Sequence, residues 1–145
     1  MKKIIAFIIF LFTWYGISAQ KDSLTIENST VSRTFSFARD SAGFYSLAFI
    51  NKKAAQNYIN LQTEEFSITI NDSTLDGKNC RYKTHFFHQN KDTQMLAVTL
   101  ETPFPKVYIQ LVYELYENLP LVRKQLIAKM MVISSSHGLL PALIA

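Results

Sequence analysis

The fold is decided by Lys106-Val107-Tyr108-Ile109-Gln110-Leu111-Val112-Tyr113-Glu114-Leu115-Tyr116-Glu117, the break Asn118-Leu119-Pro120, and Leu121-Val122-Arg123-Lys124-Gln125-Leu126-Ile127-Ala128-Lys129-Met130. Two runs of β-branched, aromatic and aliphatic residues flank a short Asn/Pro turn, the pattern of a β-hairpin. Successive strand side chains alternate faces, so Val107, Ile109, Leu111, Tyr113 and Leu115 share one side. Tyr108, Gln110, Val112, Glu114 and Tyr116 share the other, which is mixed in polarity. In the second run Leu126, Ala128, Met130 and Val132 form an apolar row, and Arg123, Gln125 and Lys129 a polar one. A ribbon this long and apolar on one side needs a second sheet against it.

Outward from the hairpin, the same period recurs. Residues 24–27 and 31–37 read as short strands around Asn28-Ser29-Thr30, with Arg33, Phe35 and Phe37 on one face. Residues 44–50 are almost wholly apolar, which predicts a strand covered on both faces. Residues 51–62 lose the alternation and read as a loop. Residues 65–70 regain it, with Phe66, Ile68 and Ile70 inward, and residues 71–79 read as a turn-rich connection. Residues 81–87 form a weaker strand and residues 95–101 a regular one, ended by Thr102-Pro103-Phe104-Pro105 because proline removes a ladder donor. About eight short strands with no convincing helix among them predict an all-β fold, an antiparallel β-sandwich of supersandwich-like kind.

The 145-residue chain allows one domain. Lys2 and Lys3, an apolar stretch over residues 4–16 and the small-residue exit Ile17-Ser18-Ala19 predict a secretory signal helix spanning residues 1–19. The stretch is short for a membrane span, which takes roughly 20 residues. The protein is therefore expected to be exported, periplasmic or secreted, with no membrane attachment after cleavage. The domain would occupy residues 20–133. Residues 134–145 form an atypical apolar tail that either tucks into the sandwich or marks a truncated chain; truncation is favoured. Fifteen basic and eleven acidic residues give a net +4, of which Lys2 and Lys3 supply two. Without a basic stripe interleaved with aromatics, nucleic acid is not an expected partner. Cys80 stands alone, cannot close an internal disulfide and has no activating neighbour, so an inert thiol is expected.

Catalytic chemistry finds little footing. Glu64-Glu65, Glu101, Glu114 and Glu117 read as solvated acids, since nothing in their spacing fixes two carboxyls across a cleft. His85 and His88, three apart, face opposite sides of a strand and make a poor metal pair. Four glycines leave no phosphate cradle. A mutarotase-like site using His85 and Glu101 is conceivable but not compelled. Asn28-Ser29-Thr30 matches the glycosylation sequon, as turns rich in Asn and Ser do by chance. The best binding candidates are Tyr108 and Tyr116 with Glu114, on the mixed face, as carbohydrate contacts. No catalytic residue, metal ligand or cofactor is expected in this chain.

Three segments carry a resemblance: Ile26-Glu27-Asn28-Ser29-Thr30-Val31-Ser32-Arg33-Thr34-Phe35, Glu64-Glu65-Phe66-Ser67-Ile68-Thr69-Ile70-Asn71, and Val112-Tyr113-Glu114-Leu115-Tyr116-Glu117-Asn118-Leu119-Pro120-Leu121-Val122-Arg123-Lys124. In this order, over residues 24–130, they resemble the N-terminal β-sandwich of α-galactosidase-like glycoside hydrolases of the family-36, or melibiase, type. The most specific piece is the tyrosine-rich strand running into Pro120 and Arg123-Lys124. The resemblance implies a noncatalytic sandwich packed on a (β/α)8 barrel that carries the catalytic aspartates, so that no catalytic residue transfers to this chain. Family members continue past the Arg-Lys strand into further sandwich strands, whereas here Met130-Met131-Val132-Ile133 and the apolar tail follow. The expected function is the N-terminal sandwich of an exported glycosidase, with the barrel as missing partner. The alternative is a free-standing module that binds carbohydrate or protein.

Overall fold

The computed structural model describes residues 21–70 and 72–130. The expected signal helix and apolar tail lie outside the described residues. In chain order the strands are β1 (Lys21–Glu27), β2 (Val31–Ala38), β3 (Phe44–Asn51), β4 (Gln56–Asn57), β5 (Thr63–Glu64), β6 (Ser67–Ile70) and β7 (Ser73–Asp76). A 3-10 turn, Gly77–Asn79, leads into β8 (Arg81–Gln89), β9 (Thr93–Glu101), β10 (Val107–Tyr116) and β11 (Val122–Met130). One sheet has the order β1-β2-β3-β4, with β5 also on β3; the second has the order β11-β10-β9-β8; β6 and β7 pair as a separate ribbon. Every pairing is antiparallel. The all-β, sandwich-like fold expected from the periodicity is the one observed.

The deciding hairpin forms in unbroken register from Val107 opposite Met130 to Leu115 opposite Val122. Its inner row, Ile109, Leu111, Tyr113 and Leu115, is fully buried against Phe35, Phe44 and Ile26 of the first sheet and Leu96, Val98 and Leu100 of β9. Phe66, just before β6, and Leu75 of β7 join the same core. Each such side chain removed from water contributes about 2 kcal/mol, which is what holds the two layers together. Gly77 lets the connection pass close beneath β3, where a Cβ would run into the Phe44 carbonyl oxygen.

Four details depart from expectation. Residues 44–50 are not covered on both faces: Leu47 is 45% exposed, while Ser46 is buried. The cause is a bulge. Phe35 pairs with Ser46 and Thr34 with Ala48, so Leu47 is an extra residue and the alternation flips there. The expected loop over residues 51–62 contains the short strand β4, and the expected turn-rich connection contains β7, whose hairpin turn places Asp72 at a φ of 62°. On β11 the inner row is only partly sheltered: Met130 is 73% exposed and Leu126 37%. β11 is an edge strand with no second partner among the described residues.

Candidate functional site

Alternation on β10 turns Tyr108, Gln110, Val112, Glu114 and Tyr116 away from the core, onto the outer face of the second sheet. The ladder registers build rows across that face. Glu101, Tyr108 and Lys129 form one row; Thr99, Gln110 and Ile127 the next; then Ala97, Val112 and Gln125; then Met95, Glu114 and Arg123. Tyr108 lines two adjoining depressions of about 420 and 360 Å³. Glu114 and Tyr116 line a third, of about 190 Å³, together with His88 and Met95. Eight residues at about 3.3 Å each separate Tyr108 from Tyr116 by about 26 Å. The three carbohydrate-contact candidates therefore share one face but occupy its two ends.

The electrostatics differ between those ends. The Lys83 ammonium sits 4.2 Å from the centre of the Tyr108 ring, so one side of that ring already holds a cation. The Glu101 carboxylate lies 2.9 Å from Arg81 and 3.4 Å from Lys83. The hydrogen bond from Arg81, and next that from Lys83, hold its carboxyl below the usual range. At the other end Glu114 accepts from Arg123 at 3.3 Å. Glu101 and Glu114 stand six residues apart along the strands, about 20 Å at strand spacing, whereas acid/base hydrolysis of a glycoside needs two carboxyls within about 10 Å. His85 and Glu101 do not form the pair considered from the sequence. His85, opposite Val98, shares the inner parity of β8, and Glu101 stands in the outer row. The His85 Nδ1 is instead 2.6 Å from the Tyr82 hydroxyl. His88 lies on the opposite face from His85, and among the described residues no group of three His, Cys, Asp or Glu side chains is placed to hold a metal ion.

A second constellation lies between the sheets, and the sequence reading missed it. Glu65, expected to be solvated, has a fully buried side chain. Its carboxylate accepts from Arg33 at 2.8 Å, from the Tyr113 hydroxyl at 2.7 Å and from Lys124 at 2.9 Å, and Lys124 also donates to the Glu65 carbonyl. Burial pushes the Glu65 carboxyl up, but the charge and hydrogen bond of Arg33, then Tyr113 and Lys124, bring it below its ordinary value. Burial, followed by the charge of Glu65, drives the Tyr113 phenol far above its ordinary value. Both Glu65 oxygens are engaged, so the cluster is a polar bolt between layers rather than a proton relay. One signal was legible: Arg33, Tyr113 and Lys124 all fall at core-facing parity, and such a row calls for a buried counter-charge. The cluster gathers three segments distant in the chain, contributing Arg33, Glu65, and Tyr113 with Lys124.

Asn28 provides another inter-sheet tie. Its amide nitrogen donates to the Tyr116 and Leu119 carbonyls at 2.7 and 3.0 Å, and its side-chain oxygen accepts from the Thr30 and Val31 amides at 2.8 Å each. The sequon nitrogen is thus consumed inside the fold. Cys80 is fully buried, and desolvation, with the charge of Asp76 adding to it, pushes its thiol up to about 12, consistent with the expected inert thiol. Comparison of the chain with models of known protein families, with curated proteins and with solved structures finds no match.

Proposed function

We propose that this domain is a noncatalytic, carbohydrate-facing β-sandwich, the N-terminal module of an exported α-galactosidase-like glycoside hydrolase. The observation that carries the reading is the outer face of the second sheet. It is an open platform with a tyrosine at each end, Thr and Gln between them, and carboxylates neutralised by Arg and Lys rather than set against one another. Such a face can hold a saccharide by polar contacts and ring edges, while its paired acids are poorly placed for proton transfer to a glycosidic oxygen. Support for a larger protein comes from β11, whose inner row, Leu126, Ala128 and Met130, is exposed among the described residues and offers a surface on which another domain can pack. The catalytic aspartates then belong to a (β/α)8 barrel, and export follows from the N-terminal sequence pattern.

Two measurements test this reading. A glycan array probed with the purified chain is expected to retain oligosaccharides and to lose them with Tyr108→Ala; no retained glycan contradicts the carbohydrate-facing role. Coding DNA downstream, read in all frames, is expected to encode a barrel; its absence contradicts the assignment to a hydrolase.

A further inference from the structure

The two depressions that flank Tyr108 are unequal in charge to the rest of the face. Arg81 and Lys106 line the first, Lys83 and Lys129 the second, and Glu101 is the only carboxylate lining either. Glu101 is shared between Arg81 and Lys83. Lys129 stands directly across the ladder from Tyr108, and among the described residues neither it nor Lys106 forms an ion pair with a carboxylate. Three positive charges are therefore uncompensated around one phenol. Lys106 is held there by the backbone, at a φ of 63°, immediately before β10. Thr84 and Thr99 add hydroxyls beside Lys83 in the second depression.

We infer that the Tyr108 end of this face binds an anionic saccharide, a carboxylate- or sulfate-bearing oligosaccharide, and does so in preference to a neutral one. The inference rests on the carbohydrate-facing reading and names the ligand class of that same site. A neutral sugar stacking on the side of the Tyr108 ring that Lys83 covers has to displace the ammonium from it. An acidic sugar instead meets Lys83 and Lys129 as partners while its ring hydroxyls reach Thr84, Thr99 and the Tyr108 hydroxyl. The two depressions share Tyr108 and each carries two cations, so a chain that enters both meets positive charge in each. The opposite end, where Glu114 is bound to Arg123 beside His88 and Tyr116, lacks this excess and is not part of the site.

The test is titration calorimetry on the purified chain with oligogalacturonate, a neutral galacto-oligosaccharide of equal length, and single-stranded oligothymidylate as a polyanion without sugar-acid chemistry. Oligogalacturonate is expected to bind at least about tenfold more tightly than the neutral oligosaccharide, and to weaken on the order of tenfold as salt rises from about 0.05 to about 0.5 M. The double variant Lys83→Gln with Lys129→Gln is expected to abolish that preference, with circular dichroism checking the fold; the salt series on the unaltered chain needs no variant. Equal affinity for both oligosaccharides, with no salt effect, overturns the anionic class and leaves the carbohydrate reading standing. Binding of neither overturns both. Tighter binding of oligothymidylate than of oligogalacturonate overturns the inference in favour of a nucleic-acid surface.

Discussion

Every polar atom of the Asn28 side chain is engaged, and what it engages are backbone groups and the Thr30 hydroxyl in two turns that belong to different sheets. Asn28→Ala removes all of these at once: the buried Thr30 and Val31 amides lose their acceptor, while the Tyr116 and Leu119 carbonyls keep only the bonds from the Leu119 amide and the Thr30 hydroxyl. Destabilisation of about 3 kcal/mol is expected in urea unfolding, against about 0.5 kcal/mol for an ordinary surface change; an unchanged midpoint contradicts the tie. Glu65 is the second such residue. Glu65→Gln keeps the shape but strips the counter-charge from Arg33 and Lys124, which retain 18% and 31% side-chain exposure. About 3 kcal/mol of lost stability is expected, at the low end for breaking a buried pair, because both cations keep some contact with water. Replacing all three charged residues together by apolar ones of similar volume is expected to restore much of it, since no charge is then left between the layers without a partner.

At the scale of the elements, the bulge in β3 decides which side chains matter. Leu47→Lys is expected to change stability by no more than about 0.5 kcal/mol, although the run around it is apolar. Phe35→Ala, which empties a site beside Tyr113 with ring centres 4.4 Å apart, is expected to cost about 4 kcal/mol. Thermal unfolding of the two variants checks this contrast, and a large loss at Leu47 contradicts the bulge. The same element explains what the chain disclosed beforehand. Alternation in residues 106–130 was strong enough to give the hairpin, its faces and its need for a second layer. A one-residue bulge carries no compositional mark, so residues 44–50 looked doubly buried. Thr and Ser in β7 read equally well as turn, and its pairing is settled only by contact with β6. The candidate site was legible in part: period two placed Tyr108, Glu114 and Tyr116 on one face. What stayed hidden was the cation over the Tyr108 ring, because Lys83 reaches it from β8, two strands away, and register between distant strands is not written locally.

For the molecule as a whole, the depressed Glu65 carboxyl ties stability to acidity. Its unfolded value is about 4.3, and the folded value lies lower. The stabilisation is therefore fully present above about pH 4.3 and is lost as pH falls through the folded value, once the protonated carboxyl can no longer pair with Arg33 and Lys124. A series of thermal midpoints from about pH 7 to about pH 3 is expected to fall more steeply for the native chain than for Glu65→Gln; parallel curves contradict the assignment. Glu101 is also depressed, but it is partly open to solvent and adds little to this acid limb. The two layers, bolted at Glu65 and tied at Asn28, leave the outer face of the second sheet as a platform turned away from the core. The most direct test of that platform is NMR shift mapping of the purified chain with oligogalacturonate and galacto-oligosaccharide, while free monosaccharide is monitored. Perturbations are expected on Thr99, Tyr108, Gln110 and Lys129, with no sugar released. Perturbations confined to the Glu65 cluster or to the inner row of β11, or steady release of monosaccharide, would contradict a noncatalytic, carbohydrate-facing sheet.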